Sequence, residues 1–197
     1  GNILTTAYGA VVNSGMKPGE EVAVIGCGPV GIMAVQSALA LGASRVFAID
    51  PIEERTRLAA RLGAYPIPSE KVNPVSKVNE LTDGEGADVV IEAVGGTVTL
   101  KLAFELVRGG GRISAVGVTA EDTFAYPLMA SLTKDVTFRI GVANVHRDMD
   151  ATLALVQGGR IDPTVVVSHR LSLDQAPEGY RLFERREASK VILRVSD

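Results

Sequence analysis

The residues Gly26-Cys27-Gly28-Pro29-Val30-Gly31 set glycines at the spacing of a phosphate cradle, and Asp50 follows downstream. The chemistry open to this set is anion binding by backbone N–H groups, joined to recognition of sugar hydroxyls by a carboxylate. Gly26 permits a tight turn. Gly28 carries no side chain, so a pyrophosphate can approach the backbone. Gly31 lets a helix pack closely on a strand. Asp50 can accept hydrogen bonds from both hydroxyls of a ribose and would repel a 2′-phosphate, so NAD is favoured over NADP.

Such residues act only where the right elements hold them. Residues 21–25 (EVAVI) read as a strand, 29–41 as a helix and 45–50 (RVFAID) as a second strand. Strand, glycine turn, helix, strand and acid in this order are the context a dinucleotide fingerprint requires, the alternative being a tight structural turn. The helix start offers free N–H groups and the positive end of its dipole to the phosphates. A helix is expected over 3–14, an amphipathic helix over 52–62 closed by Gly63, and a short strand over 64–67. Helices over 73–81, 97–107 and 124–132 alternate with strands over 88–93, 112–118 and 136–140, with a turn at 109–111. This alternation predicts an α/β fold with a doubly wound, parallel, six-stranded sheet covered on both faces. After residue 141 the pattern becomes helix (148–157), extended piece (162–167), helix (173–185) and strand (190–195). The expected division is therefore 1–142 and 143–197.

Composition narrows the partners. The 197 residues are 46% hydrophobic, enough to fill a core. A net charge of −3, 5% aromatics and no Trp argue against a nucleic-acid surface. The single cysteine, Cys27, excludes an internal disulfide and points to a reducing compartment, the cytoplasm. Lying in the glycine turn with no histidine near in sequence, it reads as a packing residue rather than a nucleophile. Residues 22–44 carry no formal charge, but Gly26, Gly28, Pro29, Gly31 and Gly42 interrupt them. They read as a buried strand plus a helix, and no membrane association is expected.

Further motifs extend along the chain. They are Thr5-Thr6-Ala7-Tyr8-Gly9-Ala10, Lys17-Pro18-Gly19-Glu20-Glu21-Val22, Leu62-Gly63-Ala64, Asp88-Val89-Val90-Ile91-Glu92-Ala93-Val94-Gly95 and Gly110-Gly111-Arg112. Gly159-Arg160-Ile161-Asp162-Pro163 and His169-Arg170-Leu171-Ser172-Leu173 complete the set. With the glycine turn, Asp50 and Arg55, they resemble the zinc-dependent branch of the medium-chain alcohol dehydrogenase superfamily. That resemblance implies a Rossmann cofactor-binding half followed by a C-terminal tail that belongs to a GroES-like domain. The zinc-bearing, GroES-like half would precede residue 1, so zinc is expected only there and no metal in this chain. The family's third zinc ligand would fall near Asn2, and an amide is a poor zinc ligand. His146 and His169 are not at metal-pair spacing.

The resemblance also assigns residues to NAD. Gly26, Gly28, Pro29, Val30 and Gly31 would form the pyrophosphate turn. Asp50 would hold the adenosine ribose, while Arg55 either meets the same ribose or is a solvated helix charge. Ala93 and Val94 would line the adenosine and nicotinamide side, or simply pack the strand end. Val116, Gly117 and Val118 would face the nicotinamide. Lys190 would touch the pyrophosphate, or else is a surface lysine. Glu92 reads as a structural acceptor rather than a catalytic base, and no catalytic residue is expected here. The reaction implied is hydride transfer between an alcohol or aldehyde and NAD, in a homodimer or homotetramer joined through the edge at 136–140. A non-catalytic NAD-binding module and a zinc-free reductase of the same superfamily are the alternatives. The isolated chain is expected to be inactive.

Overall fold

The structure, a computed structural model, describes residues 2–142 and 144–195. It divides into two compact units, Gly1–Ile161 and Asp162–Asp197.

In the larger unit, helix α1 (Asn2–Asn13) precedes strand β1 (Glu21–Ile25), helix α2 (Pro29–Ala40) and strand β2 (Arg45–Asp50). Helix α3 (Glu53–Arg61) leads to β3 (Tyr65–Pro68), and α4 (Pro74–Leu81) to β4 (Ala87–Glu92). Then come α5 (Thr97–Leu106), β5 (Val107–Ala115), α6 (Leu128–Lys134), β6 (Thr137–Ile140) and α7 (Val145–Gln157). The six strands form one parallel sheet, as the alternation of elements predicts, and their order is β3-β2-β1-β4-β5-β6. The strand order reverses between β1 and β4, so the carboxyl ends of these two strands flank a topological switch point. The strands read as apolar runs because helices bury both faces. Val22, Ala23, Val24, Val89, Val90 and Ile91 are fully buried. Phe47, Ile49, Ile67, Phe104 and Ile113 belong to the core cluster on which this sheet is built.

Several boundaries depart from the sequence reading. The turn expected at 109–111 lies inside β5, whose pairing with β4 shifts register between Ala87 and Val89. Gly110 has φ +67°, so the strand absorbs extra residues as a bulge instead of ending. Beyond Ala115, residues 116–118 leave the strand. The helix expected at 124–132 starts only at Leu128, with Pro127 as its N-cap. A proline disfavours helical geometry in the residue before it, and Tyr126 is that residue. Phe124 and Tyr126 are drawn instead into an aromatic cluster with Phe104 and Phe138, with ring centroids 5.3–6.5 Å apart. Helix α7 begins at Val145, where the Asn144 side chain accepts from the Arg147 N–H. The compact units part after Ile161. Helix α7 packs on α1 within the larger unit.

In the smaller unit, the piece expected to be extended forms a 3-10 turn over Pro163–Val166, fixed by the Asp162 carboxylate accepting from Thr164. Strand β7 (His169–Ser172), not foreseen as a strand, pairs in parallel with β8 (Val191–Arg194). Between them a capping box of Ser172 and Gln175 opens a 3-10 turn over Leu173–Gln175, and α8 (Ala176–Glu184) follows. No helix among the described residues is long and apolar enough to cross a membrane.

Candidate dinucleotide site

Gly26 ends β1 with φ +89°, and its N–H donates to the Ile49 carbonyl at 2.8 Å. A Cβ there would stand 2.5 Å from Val94 Cγ2. Gly28 is the N-cap of α2 in an extended conformation any residue could adopt, and a Cβ on it would meet nothing within 4 Å. Its missing side chain therefore leaves open space at the head of a helix. Pro29 opens that helix where no N–H is required, and no acidic residue occupies the first turn. Gly31 answers a different need. A Cβ on it would lie 1.7 Å from the Gly26 carbonyl oxygen, so the helix crosses the turn at backbone contact.

Asp50 ends β2 and is buried at 3% exposure. Its Oδ2 accepts from the Cys27 N–H at 2.8 Å, and its Oδ1 from the Ile52 N–H at 2.8 Å. The acid thus holds the glycine turn. Each oxygen has a further lone pair, so the carboxylate keeps capacity for two more donors. Arg55 Nη1 lies 3.7 Å from Oδ2, which places this arginine beside the acid rather than in bulk solvent. Burial, and secondarily the Asp50 charge, push the Cys27 thiol far up. The Arg55 charge offsets this only in part. The thiolate is therefore absent at neutral pH, and Cys27 is a packing group.

The ends of β4 and β5 meet the turn from the other side. The Ala93 N–H donates to the Ile25 carbonyl, continuing the ladder past the strand end. Val94 is half exposed beside Gly26. The Val116 and Gly117 N–H groups donate to the Glu92 carbonyl at 2.9 and 3.1 Å. Gly117 is as constrained as Gly31, since a Cβ on it would stand 2.0 Å from the Gly95 nitrogen. Val118 is 85% exposed.

A cleft of about 590 Å³ opens beyond the carboxyl ends of β1 and β2. It brings together Gly26, Asp50 and Val94 from the predicted residues with Ile25, Ile49, Pro51, Ser69 and Pro74. Helix α5 supplies Val98, Thr99, Lys101, Leu102 and Glu105. None of the residues beyond 94 in this wall was singled out from sequence. A helix face looks alike whether it lines a cleft or solvent, so only packing marks them. The site fits a dinucleotide in the chemistry of its donors and acceptors: an uncovered helix start, an open Gly28 and a buried carboxylate with spare lone pairs. Lys190 lies in the smaller unit, where its carbonyl accepts from the Ser168 and His169 N–H groups. The Asn2 carboxamide oxygen accepts from the Thr6 hydroxyl. Among the described residues no cluster of three or more His, Cys, Asp or Glu could hold a metal.

The zinc-binding dehydrogenase family model matches residues 29–158. The chain belongs to that family. It falls within the zinc-dependent medium-chain alcohol dehydrogenase superfamily. A probable zinc-binding alcohol dehydrogenase of Mycobacterium tuberculosis is 37% identical over 188 residues, covering 95% of this chain and 48% of that protein. An L-threonine 3-dehydrogenase of Bacillus licheniformis is 34% identical over 189 residues, covering 92% of this chain and 53% of that protein. The solved alcohol dehydrogenase of Thermus sp. ATN1 superposes with a TM-score of 0.96 at 56% identity, over 100% of this chain and 57% of its own. The chain therefore spans about half the length of the zinc-type relatives it matches.

Proposed function

We propose that this chain is the NAD-binding portion of a zinc-type alcohol dehydrogenase-like oxidoreductase. The parent protein would transfer hydride between a small alcohol or aldehyde and NAD. The observation that carries this reading is Asp50, a buried carboxylate at the end of β2 that grips the glycine turn and still has lone pairs for a ribose. The N–H groups at the start of α2 would take the pyrophosphate, with Gly28 leaving room for it and Pro29 and Val30 beside it. Arg55 would brace the ribose from the solvent side. Ala93 and Val94 would line the path from the cleft toward Val116, Gly117 and Val118, the expected nicotinamide edge. Lys190 is assigned to the pyrophosphate from the family pattern. The nicotinamide supplies the hydride-accepting carbon when bound. This chain's own residues bind, orient and shield it, and none of them moves a proton. Zinc would be held by residues outside this chain, where it would polarise the alcohol oxygen. Asn2, a weak ligand type, favours a second reading in which the parent binds NAD without zinc chemistry. A reducing cytoplasm suits the buried Cys27 thiol.

The test is a calorimetric titration of the chain with NADH and, separately, NADPH. The expected result is saturable binding of NADH and an affinity for NADPH at least about tenfold lower, equivalent to about 1.4 kcal/mol. Equal affinities would remove the role given to Asp50, and binding of neither would remove the cofactor assignment.

The reading extends to a homodimer or homotetramer joined through β6. This strand ends the sheet order, so its outer backbone groups are unpaired within the sheet. Ile140 is 64% exposed, and Leu128, Met129 and Leu132 of the preceding helix are also exposed. Sedimentation velocity should find a dimer or larger species, and Ile140→Lys should shift it toward monomer. A wild-type chain that sediments as a monomer at working concentration would sink the assignment.

A further inference from the structure

One row of residues in register crosses the sheet at its carboxyl end: Ile67, Ile49, Ile25, Glu92, Ala115 and Ile140. Residues in one row project to the same face, so every position here but one is filled by a hydrocarbon side chain. Glu92 is the exception, and it is fully buried. Its Oε1 accepts from the Val94 N–H at 2.9 Å and the Gly95 N–H at 2.8 Å. Its Oε2 has no partner, the one buried carboxylate oxygen so left among the described residues. A buried acid without a cation and with one idle oxygen is a poor device for stability, because desolvating it costs more than two neutral donors return.

Its placement has another use. Through Oε1 it fixes Val94, whose side chain abuts Gly26 of the phosphate turn and lines the cleft. Through its carbonyl it fixes Val116 and Gly117. A Cβ on Gly117 would come 2.7 Å from Oε2, so the acid also sits directly under the β5 end. One residue thus ties two of the loops assigned to the dinucleotide and, through Val94, meets the third. We propose that Glu92 is a positioning residue for the dinucleotide, retained for binding rather than for stability. The proposal rests on the cofactor reading given above.

The experiment compares the wild-type chain with Glu92→Met and Glu92→Gln, measuring NADH affinity by titration and Tm by calorimetry. Methionine matches the length of glutamate, suits the apolar row and adapts to its shape. It should leave Tm unchanged within about 3 °C or raise it, while weakening NADH at least about tenfold. Glutamine keeps an amide oxygen for the Val94 and Gly95 N–H groups, and should restore NADH affinity to within about threefold of wild type. A purely structural acid would lower Tm and affinity together. That result, or an unfolded Glu92→Met chain, would overturn the proposal. So would a Glu92→Met chain that binds NADH like wild type. If the wild-type chain itself does not bind NADH, the cofactor reading falls and the proposal with it, an outcome visible before any variant is made.

Discussion

Gly31→Ala should destabilise the larger unit by about 3 kcal/mol or more, the upper range for overpacking against atoms that cannot move aside. The added methyl carbon would stand 1.7 Å from the Gly26 carbonyl oxygen and 2.7 Å from its carbon. Both belong to backbone already fixed by the Gly26 N–H bond to Ile49 and by Asp50 holding Cys27. Helix α2 would have to lift away from the sheet. For a unit of this size the loss corresponds to roughly 6–12 °C in Tm. Gly28→Ala is the matched control. Its methyl meets nothing within 4 Å, and φ −69° suits any residue. Its stability should fall by no more than about 1 kcal/mol, the cost of Ala in place of Gly at an N-cap, because no contact is strained. Its NADH affinity should nevertheless fall sharply, since the methyl fills the space assigned to the pyrophosphate. Denaturant unfolding and NADH titration on the two variants give opposite patterns if the assignment holds. Equal stability of both variants would show that the close approach at Gly31 relaxes at little cost. Undiminished NADH binding by Gly28→Ala would show that the phosphates lie elsewhere.

The second large effect is expected at Asp50. Asp50→Ala removes the acceptor for the Cys27 and Ile52 N–H groups together with the proposed ribose ligand. Cys27 is only 2% exposed, so its N–H would be left without water or protein as a partner. An orphaned buried donor costs about 1–3 kcal/mol, and the loss of the ribose contact should weaken NADH by a similar amount. Arg55, freed from the acid 3.7 Å away, would be available to a 2′-phosphate, so the gap between NADH and NADPH should narrow. Two titrations and one unfolding curve measure all three. Unchanged affinities for both cofactors alongside lowered stability would mean that the carboxylate serves the turn alone.

Local sequence was sufficient wherever one residue type has one physical use. Gly26, Gly28 and Gly31 each announce a missing side chain. Structure gives each its reason: a left-handed turn, an open cradle and a backbone contact. The strands were equally legible, because parallel strands buried on both faces read as unbroken apolar runs. That the strands run parallel in one sheet followed from alternation of elements and right-handed crossovers, whereas the order β3-β2-β1-β4-β5-β6 is given by their pairing.

What sequence could not decide depends on partners far along the chain. The aromatic cluster of Phe104, Phe124, Tyr126 and Phe138 converts the first part of an expected helix, before Leu128, into irregular chain, because side-chain burial outweighs local helix propensity. The glycines at 109–111 look like a turn but become a bulge when β4 offers a ladder to continue. Strand β7 exists only because β8 pairs with it. The double duty of Asp50 is invisible at residue level, since its two N–H donors are set by how the glycine turn folds back over β2. The outer wall of the cleft, from α5, is likewise a product of packing. By itself, then, the sequence determined the parallel sheet, the glycine turn and the acid beside it, which rest on local periodicity and on side chains that are absent. Only the tertiary structure decided where strands end, which acid braces which loop and what closes the cleft, because those outcomes are fixed by contacts between residues remote in the chain.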